Sequence, residues 1–460
     1  MPLSRKTKFA YGVGQIAETV KSTGFNIFLF FFFTQVLGLS GSLAGLAVMI
    51  ALVFDAVTDP LAGYISDHSR SRFGRRHPFM LAAALPLGIA WYFLFTPPDG
   101  LGQTGLFLWL TGFAVLVRGA ITLYYVPYLG LGAELTLDYH ERTSVAAWRG
   151  FCGVSGAAVV VLLGVPLFFP ETATFENGLL NPAGYPLVAL FGALLMAASI
   201  LLSAWGTRGQ ISTLPTNNST QNPLSLRENL FSIWRNSSFR ALFLGTLLVA
   251  ISIGITQTLN MHLNVYFWGL TSNNIALLGA GVLLGWPVGI LLTKPLHQRF
   301  DKKPTIIGAA LVAALASNIA VVLALLGMFP SQSSALFVPL ILLLLFVGGA
   351  ASGLAMISGA SMMADVAQQH ADHSGQQQEG FFFSAISFTG KMAAAAGYLV
   401  AGIGLDLIGF PLQASPSEVS ITQVNHLAML SLSAGIFAFA SACTYTRYQL
   451  RQPATEAVLC

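Results

Sequence analysis

Asp55 and Asp59 lie four residues apart in a stretch, residues 43–65, that carries no other charge. On a helix that spacing stacks both carboxylates on one face. Two bare carboxylates held together repel, so one takes a proton or both share a cation. Hard oxygen ligands suit Na⁺ or H⁺. Thr58 adds a hydroxyl beside them, and Pro60 frees carbonyl capacity in the preceding turn. The competing reading is a structural pair bridged to Lys391 or Arg149.

Away from the ends of the apolar stretches, the other charges are Glu18, Lys21, Arg118, Arg149 and Lys391. A charge at the centre of a bilayer costs at least ~2.5–3.5 kcal/mol on insertion scales, so each is a functional candidate. Glu18 and Lys21, three apart, share a helix face and can neutralise each other. Lys391 and Arg149 have two readings. They bind an anionic or polyhydroxy substrate, or they act as counter-ions that occupy the acids when the cation is absent. Arg118 either reaches a carboxylate such as Asp55 or packs between helices. His262, Asn260 and Trp268 are candidates for lining a cavity, whereas Phe30 to Phe33 face lipid or pack helices.

These groups need a scaffold that holds them inside a bilayer. Of 460 residues, 55% are hydrophobic and 9% charged, against about 25% charged in an ordinary soluble domain, which argues against a water-soluble protein. A helix needs about 20 apolar residues to cross the hydrocarbon. Such stretches recur at residues 9–36, 43–65, 79–95, 105–128, 144–169 and 186–205, then at 239–268, 275–296, 305–328, 335–363, 380–407 and 424–445. The expectation is an all-α membrane protein with twelve transmembrane helices. The first follows Arg5, Lys6 and Lys8 as a signal peptide would, but it is too long for an h-region and lacks a small-residue cleavage site, so it is read as retained. Cys152, Cys443 and Cys460 are too scattered to indicate a disulfide framework or a metal site.

Basic residues accumulate in cytoplasmic loops. With both termini cytoplasmic, 18 of the 22 Lys and Arg fall in inner loops or terminal segments and none in outer loops; the other four are Lys21, Arg118, Arg149 and Lys391. The slight positive balance thus follows from topology and gives no indication of nucleic-acid binding. Residues 207–238 form the one long polar stretch, read as a cytoplasmic loop between six-helix halves at 1–206 and 239–446, with a tail at 447–460. Arg72-Phe73-Gly74-Arg75-Arg76-His77-Pro78 is echoed by Arg299-Phe300-Asp301-Lys302-Lys303-Pro304, an offset of 227 residues. Two six-helix halves around a midplane site are an alternating-access architecture.

The run from Asp55 to Gly63, followed by Ser71 to Pro78, resembles the glycoside–pentoside–hexuronide:cation symporters, the melibiose-permease-like branch of the major facilitator superfamily. Tyr11-Gly12-Val13-Gly14, Val126-Pro127-Tyr128, Thr136-Leu137-Asp138, Ala364-Asp365-Val366 and the run from Lys391 to Phe410 extend the likeness over nearly the whole chain. The resemblance implies the major facilitator fold and a cation site formed by Asp55, Asp59, Thr58 and Thr122. It implies that Lys391 lies near that site and that Arg149 is the family's arginine of the fifth helix. It also implies an inner gate of Asp67, Arg72, Arg75 and Arg76, with Asp138, Arg142 and Asp365 as further candidates. One departure bears on the substrate. The sugar-binding permeases have aspartates where Thr19 and Tyr125 stand here, although Glu18 is adjacent to the first.

The expected function is symport of Na⁺ or H⁺ with a sugar, glycoside or sugar-acid by alternating access. Glu18, Thr19, Lys21, Tyr125, Arg149 and Lys391 are the coupling and substrate residues. Loss of two acids also suits an anionic substrate, and a lysolipid or other amphiphile is the alternative. A non-transporting sensor and a membrane enzyme are remoter alternatives, because no zinc spacing, nucleophile elbow or phosphate-cradling motif occurs. No cofactor beyond the coupling ion is expected. The expected setting is a multi-pass monomer in the lipid of a bacterial inner membrane.

Overall fold

The computed structural model describes residues 3–69, 71, 73–136, 138–213, 234, 236–374 and 379–449. Twelve helices among them are long and apolar enough to span a membrane. The first six are α1 (Arg5–Val36), α2 (Gly41–His68), α3 (His77–Leu94), α4 (Gln103–Glu134), α5 (Glu141–Phe168) and α6 (Gly184–Ile211). The second six are α7 (Ser237–Phe267), α8 (Ser272–Phe300), α9 (Lys302–Leu325), α10 (Phe337–His370), α11 (Ala385–Leu407) and α12 (Ile421–Tyr445). Each corresponds to one expected stretch. The largest difference is at the end of α10, where hydropathy falls after Met363 but the helix continues because Val366 and Ala367 are buried.

Local signals set the helix starts. Asn236 accepts from the N–H groups of Ser238 and Phe239 at α7, Thr271 from Asn274 at α8, and Ser420 pairs reciprocally with Gln423 at α12. Such caps satisfy backbone donors that a first turn leaves open. Phe25–Leu29 and Phe32–Val36 of α1 are wide π turns. Phe30 to Phe33 are at most 3% exposed, so they pack helices and do not face lipid. The exposed apolar side chains, among them Leu85, Leu163, Leu194, Leu291 and Ile436, form the surface that faces the bilayer.

Both described ends of the chain lie at one face, here the terminal face: the Leu3 N–H donates to Glu141 at the start of α5, and the Gln449 N–H donates to Ser238 at the start of α7. The repeat is visible in the backbone there. Gly74 and Asp301, related by the 227-residue offset, both have positive φ, 77° and 66°. Glycine adopts that conformation freely. Asp301 compensates through its carboxylate, which accepts from the Lys302 N–H at 2.6 Å.

The two halves meet most firmly at the opposite, far face. Both Asp406 carboxylate oxygens accept from the first turn of α2, from Gly41 N–H and Ser42 N–H, at 2.8 Å each. Tyr266 donates to Gln35 at 2.8 Å, and Gln413 to the Val36 carbonyl at 3.0 Å. The contact between α2 and α11 requires glycine: a Cβ on Gly402 would lie 2.1 Å from the Gly41 carbonyl oxygen. Further hydrogen bonds that join the halves, from Thr34 to His262, Asn177 to Leu270, Lys391 to Asp55 and Tyr398 to Asn26, lie at the far face or within the membrane.

Candidate cation and substrate site

Asp55 and Asp59 project from α2 towards α4 and α11. Asp55 is 5% exposed. One edge of the pair meets cations: Lys391 donates from α11 to Asp55 Oδ2 at 2.8 Å and also to Asp59 Oδ2, and Arg118 donates from α4 to Asp55 Oδ2 at 3.2 Å. The other edge meets a hydroxyl. Thr122 Oγ1 lies 3.0 Å from Asp55 Oδ1 and 2.9 Å from Asp59 Oδ1. A hydroxyl has one proton and can donate to one oxygen at a time. Three oxygens therefore converge with fewer protons than contacts, which suits a proton or a small hard cation. Arg118 also lies over the Phe25 ring, 4.9 Å from its centroid. Thr58 is not drawn into this cluster; its hydroxyl donates to the Phe54 carbonyl of its own helix at 2.9 Å.

The remaining candidates line the neighbouring turns of α1, α4 and α5. Lys21 donates to Glu18 at 2.8 Å, and Ser22 donates to the same oxygen. Glu18 is therefore already paired and does not stand open beside Thr19. Thr19 donates to the Gln15 carbonyl at 3.1 Å, and Tyr125 to the Gln15 side chain at 3.3 Å. Arg149, half-buried on α5, faces the Tyr11 hydroxyl and makes no ion pair among the described residues. Sequence reasoning missed Tyr398, whose hydroxyl lies 3.1 Å from Asn26 Oδ1 and 2.8 Å from Gln257 Oε1, linking α11 to α1 and α7. Lone amides on apolar helices would have been the signal.

His262 does not line an opening. It is 0% exposed, packed against Phe30, Phe31, Tyr266 and Phe410, with Nε2 3.2 Å from the Thr34 hydroxyl. Trp268 is buried against Phe329 and Phe337, and only Asn260 of that trio is exposed.

At the terminal face Arg76 reaches Asp67 at 2.6 Å and Glu134 at 2.7 Å, while Arg75 reaches Glu134 at 2.6 Å. Glu134, which sequence reasoning did not select, is thus the hub. Asp365 belongs to the other half, paired with Lys302 at 2.6 Å. Asp138 caps α5, and Arg142 donates to the Thr136 carbonyl, so neither joins the network. Arg72 lies outside the described residues.

Twelve apolar helices in two halves, with opposed charges gathered between them at mid-membrane, define a secondary transporter of the major facilitator type. The chain belongs to the MFS/sugar transport protein family, which matches residues 10–452, and within it to the glycoside–pentoside–hexuronide-like symporters. It is 27% identical to the inner membrane symporter YicJ of Escherichia coli K12, with 97% of this chain and 92% of that one covered. It is 25% identical to the isoprimeverose transporter of Lactiplantibacillus pentosus, with 91% and 83% covered. Among solved structures, the nucleoside transporter NupG matches with a TM-score of 0.65 at 16% identity, covering 98% of this chain and all of that one, a likeness of fold. The family and its relatives are membrane transporters and not enzymes, and this chain is a multi-pass inner-membrane transporter.

Proposed function

We propose that this transporter couples Na⁺ or H⁺ to the symport of a sugar, glycoside or sugar-acid, with Asp55, Asp59 and Thr122 taking the cation. The observation that carries this reading is the single ammonium of Lys391 held by both carboxylates across the boundary between the halves. Without a coupling cation, Lys391 neutralises the acids and ties α11 to α2. A cation entering at the Thr122 edge takes over that compensation and frees the lysine, so binding and the relation of the halves are linked. The basic loops make the terminal face cytoplasmic. The clasped far face then corresponds to a state closed to the outside.

Arg149 has no ion-pair partner among the described residues, and this supports a substrate with an acidic group. Relatives named as symporters and as an isoprimeverose transporter support carbohydrate cargo. Uptake into proteoliposomes should require an inward Na⁺ or H⁺ gradient, and Asp59→Asn should abolish that dependence. Unchanged gradient-driven uptake by Asp59→Asn would remove the coupling claim. A thermal-shift series with sugars, sugar acids and lysolipids, each with and without Na⁺, sorts the substrate classes, because a ligand of the folded state raises apparent stability.

A further inference from the structure

A groove outside the transport site runs along the seam of α1 and α6 near the terminal face. It has a volume of about 390 Å³ and is lined by Phe9, Ala10 and Val13 of α1 and by Leu202, Trp205 and Arg208 of α6. It is shallow because Gly206 lets the helices touch; a Cβ there would lie 2.4 Å from that of Ala10. The opening faces the bilayer. Phe9, Leu202 and Trp205 are about half exposed or more, and Leu194 and Leu201 continue the exposed apolar surface along α6.

The two walls repeat one order of chemistry. Along α1, exposed Arg5 lies one turn before Phe9 and two before Val13, all on one face. Along α6, Arg208 lies over the Trp205 ring at 5.0 Å, with Leu202 one turn further in. From Arg5 to Val13 is roughly 12 Å of helix and from Arg208 to Leu202 roughly 9 Å, at 1.5 Å per residue. Each wall thus passes from cation through aromatic ring to aliphatic side chain. That is the order of headgroup, interface and acyl region, with aromatic rings at the boundary. Neither Arg5 nor Arg208 makes an ion pair among the described residues, whereas neighbouring Lys8 is committed to Glu141 at 2.8 Å.

We infer that the groove binds an anionic phospholipid of the terminal-face leaflet, with an acyl chain along the α1–α6 seam and the phosphate taken by Arg5 and Arg208. Two unopposed guanidinium groups select a headgroup of net negative charge over a zwitterionic one. The bound lipid splints the outer side of α1, whose inner side carries Gln15, Glu18 and Lys21.

The test compares phosphatidylglycerol with phosphatidylcholine on the purified full-length protein, by native mass spectrometry and thermal unfolding. Phosphatidylglycerol should be retained and should raise the unfolding temperature, and phosphatidylcholine should do so much less. Arg208→Gln should weaken retention roughly fivefold, the effect of one interfacial cation, and the Arg5→Gln/Arg208→Gln pair should erase the preference. Leu202→Trp, which fills the groove at an exposed position, should weaken retention with every charge intact. Arg299→Gln removes an exposed cation beside the exposed ring of Phe300, 5.2 Å away in the other half, and should change nothing. Equal retention of both lipids by the unaltered protein would overturn the inference. So would equal losses in Arg299→Gln and Arg208→Gln, or stabilisation by inorganic phosphate alone that matches phosphatidylglycerol.

Discussion

The two halves use the same turn at the terminal face. Arg75 pairs with Glu134 at the end of α4, and Lys302, 227 residues on, pairs with Asp365 near the end of α10, each at 2.6 Å. Their interiors differ. Glu18, Lys21, Asp55, Asp59, Arg118 and Arg149 lie in the N-terminal half, and away from the helix ends Lys391 is the C-terminal half's counterpart. The scaffold is duplicated and the chemistry is not. Because one half holds the acids and Lys391 of the other reaches across to both, compensation of the acids depends on how the halves are placed. A structure with the charges shared evenly would lack that dependence.

The largest expected effect tests this asymmetry at Asp55. Arg118 and Asp55 are both 8% exposed at the side chain. Asp55→Asn strands Arg118 in a buried site, and breaking a buried pair costs about 3–5 kcal/mol. Thermal unfolding should show a large drop, and Arg118→Gln in the same chain should recover part of it. Asp59 has a side chain one-third exposed, so Asp59→Asn should leave stability nearly intact while abolishing coupling as fully as Asp55→Asn. Equal stability losses at the two positions would show that the acids are one structural unit.

Lys391→Gln removes the one cation that, among the described residues, the second half supplies to Asp55 and Asp59. Charge-assisted hydrogen bonds contribute about 1.5–3 kcal/mol each, so the balance between arrangements of the halves should shift about tenfold or more. Uptake should lose its dependence on the cation gradient while substrate binding, read by thermal shift, survives. Retained coupling would move the counter-ion role to Arg118.

The paired loops separate next. Glu134 is 12% exposed and serves both Arg75 and Arg76, whereas Asp365 is 41% exposed and serves Lys302. Glu134→Gln should cost about 1.5–3 kcal/mol, and Asp365→Asn about 1 kcal/mol or less, as exposed pairs do. Unfolding midpoints of the two variants check this, and equal losses would mean that the repeat preserves function as well as geometry.

The twelve helices were legible because hydropathy and basic loops report the bilayer directly, residue by residue. The Asp55–Asp59 pair was legible because four-residue spacing on a helix dictates a shared face. The hub at Glu134 was not, since an acid at a helix end reads as an ordinary solvated group until the loop at Arg75 and Arg76 folds back on it. Thr58 shows the converse: adjacency placed it beside the acids, but its hydroxyl satisfied its own main chain first. His262 read as a lining residue because its polarity was visible and its surrounding phenyl rings, from another half of the chain, were not.

The smallest expected effect lies at the far face, where Asp406 of the second half caps the first turn of α2 in the first. A carboxylate at a helix N-terminus contributes about 0.3–1 kcal/mol where solvent reaches it, and Asp406 is exposed. Asp406→Asn keeps an acceptor but loses the charge, so the far face should open roughly two- to fivefold more often. Labelling of a cysteine placed at buried Ala44, in a chain relieved of Cys152, Cys443 and Cys460, should quicken by that factor. The same substitution should leave stability at Asp55 and Lys391 unchanged, because the cap orders the halves without compensating an interior charge. If labelling does not change, the close glycine contact of Gly41 with Gly402 holds the far face by itself, and the second half contributes packing there and its one essential charge at Lys391.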